Sequence, residues 1–308
     1  MIRPTTTSSG THAPPVALPY RRAAVVANPI AGRGRAVAAA RELSDAFGRR
    51  GLPTHVHLTE RRHCGRDHVS AMPDDVDLVV AVGGDGTLRD VLSGLTDRDA
   101  TIAQLPMGTA NVLAKDAGLP MDVDGLVELI ERGTTSTLDT AVVNGELTFL
   151  CVGVGFDGAC VAEVERRRKG PITKFDYVTA GLRVLKGYRQ PSLRLEIDGA
   201  PVDGDFGFVL ISNVREYGAV FRLSKECRRD DQRAEVYAVR NASRLGLARM
   251  ATTAMLRELP GRVAEYWQAS RVRVVAGDEV PWQIDGDLGG YGTVEYAFEG
   301  QRFRLVSP

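Results

Sequence analysis

Gly83-Gly84-Asp85-Gly86-Thr87 is the segment of this chain best suited to chemistry. It follows the apolar run 77–82 and precedes a helical pattern over 87–95, so it turns a buried strand into a helix. Without Cβ atoms the backbone N–H groups can approach a phosphate, and a helix N-terminus favours negative charge. Asp85 is the unexpected member. A carboxylate repels phosphates unless a cation lies between them, which points to Mg2+. The same residues would also serve as a tight turn with Asp85 as its cap.

Two further loops have related chemistry. Asn28-Pro29-Ile30-Ala31-Gly32-Arg33-Gly34-Arg35 ends the short apolar strand 23–27. Its glycines and arginines suit phosphate, and they would equally suit an ordinary loop with solvated arginines. Pro106-Met107-Gly108-Thr109-Ala110-Asn111 ends a strand at 101–105. Each loop follows a strand expected to be parallel to the others, so all three should share one edge of a sheet, where open α/β folds bind ligands.

Near the C-terminus, Asp285-Gly286-Asp287 places two carboxylates around a glycine. They could take a proton from a hydroxyl or hold a cation; Asp-Gly is also a strong hairpin signal. Gly153-Val154-Gly155-Phe156-Asp157-Gly158 has the glycine spacing of a dinucleotide loop. A basic run and another helix come after it, not the second strand with an acidic residue that such a site requires. Gly-Lys does not occur in the chain, which excludes a P-loop. The five histidines form no metal set by spacing, and no nucleophile elbow is present.

The elements that must position these loops alternate. Strands at 23–27, 54–59, 77–82 and 101–105 are separated by helical patterns at 34–49, 65–72, 87–95, 109–117 and 122–132, which implies a doubly wound parallel α/β sheet over residues 21–137. Residues 1–20, rich in Pro, Thr and Ser, read as a disordered tail. From 138 to 308 strand-like segments dominate, ending with 293–298 and 302–306. Helices at 158–168, 174–187 and 243–257 interrupt them. This second part reads as a mostly antiparallel β domain.

The 308 residues carry 39 Lys+Arg and 39 Asp+Glu, so nothing global favours nucleic acid. The hydrophobic fraction of 44% is enough for a real core. Cys64, Cys151, Cys160 and Cys227 form no C-x-x-C pair, which favours a reducing cytosol over a disulfide framework. No run is apolar enough to cross a bilayer, so any membrane contact is peripheral, from the cytoplasmic side.

Taken together, Asn28-Pro29 with Gly32, Gly83–Thr87, Pro106–Asn111, Gly153–Gly158 and Asp285-Gly286-Asp287 resemble, in order and spacing, the diacylglycerol kinase catalytic family, which includes bacterial lipid kinases and sphingosine kinases. The resemblance spans about residues 22–306. It implies an α/β domain like those of phosphofructokinases and NAD kinases, then a β-sandwich, with ATP in the cleft between them. Carried onto matching positions, Asn28, Pro29, Gly32, Thr59, Gly83, Gly84, Asp85, Gly86, Thr87, Gly108, Thr109 and Asn111 would bind the nucleotide.

In this resemblance Asp85 would sit by the phosphates and their Mg2+. Asp287 would accept the substrate proton; the family usually has Glu there. Asp231, in Asp230-Asp231-Gln232, would hold a second, structural Mg2+, although the family's Gly is replaced by Gln232. The family's usual Asn-Glu after Gly-Gly-Asp-Gly-Thr is here Arg89-Asp90, which weakens any role for those two positions. The substrate would be a lipid hydroxyl, diacylglycerol or a relative, and homodimers are common in the family.

The basic run Arg166–Lys169 with Lys174 flanks an amphipathic-looking stretch, 175–187, suited to an anionic leaflet or to a solvated helix end. An NAD kinase-like enzyme with a soluble substrate, a non-catalytic nucleotide or lipid sensor, and an oxidoreductase resting on Gly153–Gly158 alone are the competing readings.

Overall fold

The computed structural model describes residues 17–308 apart from 62–63, 97, 169, 171–172, 218–220, 225 and 257–262. Most of the N-terminal segment expected to be a tail, and Lys169 of the basic run, lie outside the described residues.

The first lobe alternates strand and helix. In order come β1 (Ala23–Ala27), α1 (Ala36–Gly48), β2 (Thr54–Leu58), α2 (Cys64–Ser70), β3 (Leu78–Gly83), α3 (Asp85–Gly94), β4 (Thr101–Pro106), α4 (Val112–Asp116), α5 (Val123–Arg132) and β5 (Thr135–Asp139). Every residue of β1, β3 and β4 is buried, as expected of central parallel strands covered on both faces. Helix α1 buries Ala36, Ala39, Ala40, Leu43, Ala46 and Phe47, a stripe of helical period. Helix α5 starts where the Asp122 carboxylate accepts the Gly125 N–H at 2.8 Å and stops at Gly133.

The second lobe continues with β6 (Ala141–Val143), β7 (Glu146–Thr148), β8 (Cys151–Gly155), α6 (Phe156–Arg167), α7 (Lys174–Gly187), β9 (Leu193–Ile197), β10 (Ala200–Phe206) and β11 (Phe208–Ser212). A short ladder of β12 (Glu216–Tyr217) and β13 (Phe221–Arg222) precedes β14 (Ala234–Val239) and α8 (Arg244–Leu256). The chain ends with β15 (Glu265–Ala269), β16 (Arg271–Val275), β17 (Pro281–Ile284), β18 (Asp287–Tyr291), β19 (Val294–Ala297) and β20 (Arg302–Val306).

Two antiparallel sheets, β10-β9-β16-β19-β6-β7 and β15-β14-β11-β8-β17-β18, form a sandwich. Their facing residues, among them Val143, Val152, Val154, Leu195, Val209, Ile211, Val274 and Trp282, make one core. Strand β11 is buried on both faces. Val209 and Ile211 enter the sandwich core, whereas Phe208 and Leu210 join the cluster that contains the first sheet. The two lobes are therefore joined by apolar burial.

One strand lies in a different sheet from the one expected. Residues 302–306, read from sequence with the β-rich half, form β20 and enter the first sheet, whose order is β2-β1-β3-β4-β20-β5. β20 runs parallel to β4 and antiparallel to β5. Its alternating burial reads as any half-buried strand, and only the partner across the hydrogen-bond ladder tells the two sheets apart.

At this junction Asp139, at 1% exposure, accepts Arg302 Nε at 2.6 Å and the Gln232 N–H at 2.6 Å. Arg302 Nη2 also donates to the Asp230 carbonyl at 2.6 Å. Arg302→Ala would leave a buried carboxylate without its cation, at a cost of about 3 kcal/mol. The expected outcome is a melting temperature several degrees lower, whereas Arg304→Ala, which removes only the exposed pair with Asp99, changes it little. Equal, small shifts in both variants would show that the junction does not depend on this pair.

Candidate active site

The order β2-β1-β3-β4 reverses direction between β1 and β3, the place where open α/β sheets bind ligands. The three expected loops meet there. The Asn28 N–H donates to the Val82 carbonyl at 3.0 Å, the Gly32 N–H to Met107 O at 2.8 Å, and the Met107 N–H to Gly83 O at 2.9 Å. Thr59, just past β2, lies on the same edge, its N–H bonded to Ala27 O at 2.9 Å. Asn28 Oδ1 accepts the Ile30 N–H at 3.2 Å, turning the chain around Pro29.

Close backbone approach explains the glycines. A Cβ on Gly108 would lie 2.4 Å from Gly84 Cα, and one on Gly83 would lie 2.3 Å from Thr87 Oγ1. Gly32 has φ +59 and passes beside Met107. Nothing lies within 4 Å of a Cβ on Gly86, so close packing does not explain that glycine. Asn111 is itself left-handed, with φ 50, and its side chain clasps Gly108: Oδ1 accepts the Gly108 N–H at 2.8 Å and Nδ2 donates to Gly108 O at 3.0 Å.

Asp85 opens α3 yet caps a different helix. Its Oδ2 accepts the Val112 N–H at 3.0 Å and its Oδ1 the Leu113 N–H at 3.4 Å, so it ties the second loop to the start of α4. Burial pushes its carboxyl above the ordinary range; the two N–H groups pull it down, and the charge of Asp285 pushes it up. No cluster of three or more His, Cys, Asp or Glu side chains arranged to hold a metal occurs among the described residues. A divalent cation at Asp85 would draw most of its oxygens from the phosphates it arrives with.

The sandwich reaches this site through the β17–β18 hairpin. Asp285 (φ 51) and Gly286 (φ 88) form its turn, as Asp-Gly at two positive-φ positions should. The two carboxylates of the motif have separate tasks. Asp285 faces inwards and accepts Thr148 Oγ1 at 2.7 Å and the N–H groups of Leu150 and Cys151 at 3.0 Å each. Burial raises its carboxyl, against the pull of Arg89 and these donors. It is an anchor for the turn. Asp287 remains one-third exposed, facing the cleft.

Arg89, one helical turn after Asp85, crosses that cleft. Its Nη2 donates to Asp287 Oδ2 at 2.7 Å and its Nη1 to Ile284 O at 2.9 Å. Arg89 thus ties α3, which begins at Asp85, to the hairpin that carries Asp287 on the other lobe. Tyr177 of α7 donates to Gly286 O at 3.2 Å; burial and the Asp287 charge push its hydroxyl up to about 12. Arg89 and Tyr177 carried no site assignment from sequence. The i, i+4 spacing of Asp85 and Arg89 on α3 was a usable signal, while nothing local links Tyr177 to residue 286.

Gly153–Gly158 is a packing device. A Cβ on Gly158 would lie 2.2 Å from Pro281 O, so α6 rests directly on β17. Asp157 is buried and bonded to Tyr217 Oη and, at 2.9 Å, to Gln283 Nε2. The dinucleotide reading has no site.

The surroundings of Asp231 do not fit the second cation that the family resemblance implies. Asp231 is exposed and accepts the Arg233 N–H at 3.0 Å. The Asp230 carboxylate pairs with Arg228, the Asp230 carbonyl and the Asp139 carboxylate are taken by Arg302, and Asp116 pairs with Arg229 at 3.2 Å. Arginines supply the positive charge there.

The histidines are closer than their spacing implied: His57 stacks on His68 at 3.8 Å, and His57 Nε2 lies 3.3 Å from Cys64 Sγ. Burial first, and then the charges of the neighbouring histidines, lower the pKa of both rings.

Residues 22–143 match the family model of the diacylglycerol kinase catalytic domain, and residues 150–306 match that of the YegS C-terminal NAD kinase beta sandwich-like domain. A diacylglycerol kinase of Bacillus subtilis (strain 168) is 25% identical over 296 residues, covering 94% of this chain and 97% of the relative. One of Staphylococcus carnosus (strain TM300) is 23% identical over 292 residues, covering 94% and 95%. The crystal structure of a diacylglycerol kinase from Bacillus anthracis str. Sterne superposes with a TM-score of 0.71 at 17% identity, covering 94% of this chain and 98% of the other, which shows a shared fold. With both lobes matched in order and the glycine loops facing the sandwich hairpin, the chain belongs to the diacylglycerol kinase catalytic-domain family, kinases that transfer phosphate to an alcohol acceptor.

Proposed function

We propose that this protein transfers the γ-phosphate of ATP to the hydroxyl of diacylglycerol or a related lipid at a membrane surface. One observation carries the reading: a carboxylate of the sandwich lobe, Asp287, is held across the cleft from the helix whose N-terminus opens at the glycine loops. Phosphoryl transfer needs little besides such positioning and charge neutralisation.

The loops at 28–35, 83–87 and 106–111 would seat the phosphates on backbone N–H groups at the start of α3. Asn28, Pro29, Gly32, Thr59, Gly83, Gly84, Gly86, Thr87, Gly108, Thr109 and Asn111 would form that seat. Mg2+ arriving with the nucleotide would neutralise phosphate charge beside Asp85. Asp287 would accept the proton of the attacking hydroxyl, its reach set by the hairpin and not by a longer side chain. Asp285 is already saturated with donors and takes no proton from substrate.

The lipid arm of the proposal rests on α7. Its Tyr177 touches the hairpin, while Phe175, Val178 and Leu182 form a bare apolar stripe at 73%, 59% and 66% exposure. An apolar face beside the reacting group suits contact with a bilayer. The basic run contributes less than its charge suggests, because Glu163 engages both Arg166 and Arg167. No helix among the described residues is long and apolar enough to cross a membrane.

Incubation with labelled ATP, Mg2+ and a panel of lipids and NAD tests the substrate class; label on NAD and on no lipid would replace this reading. Asp287→Asn should lower kcat roughly 10²- to 10⁴-fold with little change in the KM for ATP; undiminished turnover would remove Asp287 from the chemistry. Phe175→Ser/Leu182→Ser should weaken flotation with anionic vesicles and slow turnover of vesicle-borne lipid, but not of a short-chain soluble analogue. Unchanged flotation in that variant would end the role of α7.

A further inference from the structure

We infer that Arg89 is a positioning residue for Asp287, a role that rests on the proposed phosphotransfer and extends it. The guanidinium spends two donors on one target: Nη2 on Asp287 Oδ2 at 2.7 Å and Nη1 on Ile284 O at 2.9 Å, the two ends of the same turn. A planar fork with two bonds fixes orientation as well as distance. Arg89 is 14% exposed and Asp287 34%, so the arginine end of the bridge is the part shielded from water.

Arg89 lies on α3 and Asp287 on the hairpin of the other lobe, and their contact holds the carboxylate at a set distance from α3, whose N-terminus opens at the glycine loops. Arg89 also places a positive charge beside Asp285 and Asp287, the two carboxylates of the hairpin.

Displacing a reacting group by about 1 Å can cost on the order of 10²-fold in rate. Arg89→Asn should therefore lower kcat for lipid phosphorylation on the order of 10- to 100-fold, while KM for ATP and for lipid stay near wild type. Arg89→Lys, able to reach one of the two acceptors, should fall between them.

Wild-type or faster kcat in Arg89→Asn would overturn the inference while leaving the phosphotransfer reading in place. A thermal-unfolding cycle over Arg89→Ala, Asp287→Ala and both together reads the bridge without any turnover. Non-additive shifts are expected, and additive ones would overturn the inference even if the wild-type protein transferred phosphate to nothing.

Discussion

The site depends on how closely two chain reversals approach each other. Gly84 and Gly108 are in backbone contact at the edge of the first sheet, leaving no room for a side chain on Gly108. That contact brings the loops after β3 and β4 within reach of one ligand. The Asp85 carboxylate reinforces it by holding the start of α4 from the start of α3. The loop after β1 joins by backbone bonds to both neighbours. Donors fixed in this way need no reorganisation when an anion arrives, which is what makes such sites effective.

The second lobe adds a carboxylate to this seat through a hairpin that is over-determined. Asp285 gathers donors from residues 148–151, Tyr177 bonds the turn carbonyl, and Arg89 grips both ends of the turn. Further away, β20 returns to the first sheet and Arg302 seals it to the 230–232 turn through Asp139. The chain thus crosses back from the sandwich into the first sheet at β20, the lobes meet in an apolar cluster, and the Arg89–Asp287 pair bridges them. Arginines hold both polar contacts, Arg89 at the site and Arg302 at the junction.

Much of this was legible in the chain. The alternation of apolar runs and helical patterns up to residue 132 yields the parallel sheet, because buried parallel strands read as continuous hydrophobic runs. The loops at 28–35, 83–87 and 106–111 share an edge by topology alone. Asp-Gly at 285–286 marks a turn by conformational preference, and the four cysteines are free, as their spacing implied. The spacing of Gly153–Gly158 was ambiguous in isolation: close backbone approach selects glycine whether the neighbour is a pyrophosphate or β17.

Local sequence therefore determined the elements, the turns and the set of glycines, since these depend on backbone sterics and hydrophobic period within a few residues. Tertiary structure alone decided what lies opposite what. It sent residues 302–306 to the first sheet, made Asp285 an anchor and left Asp287 in the cleft, and set Arg89 against a residue 198 positions away. Those assignments depend on contacts between segments distant in the chain, and a side chain's own neighbours in sequence carry no record of them.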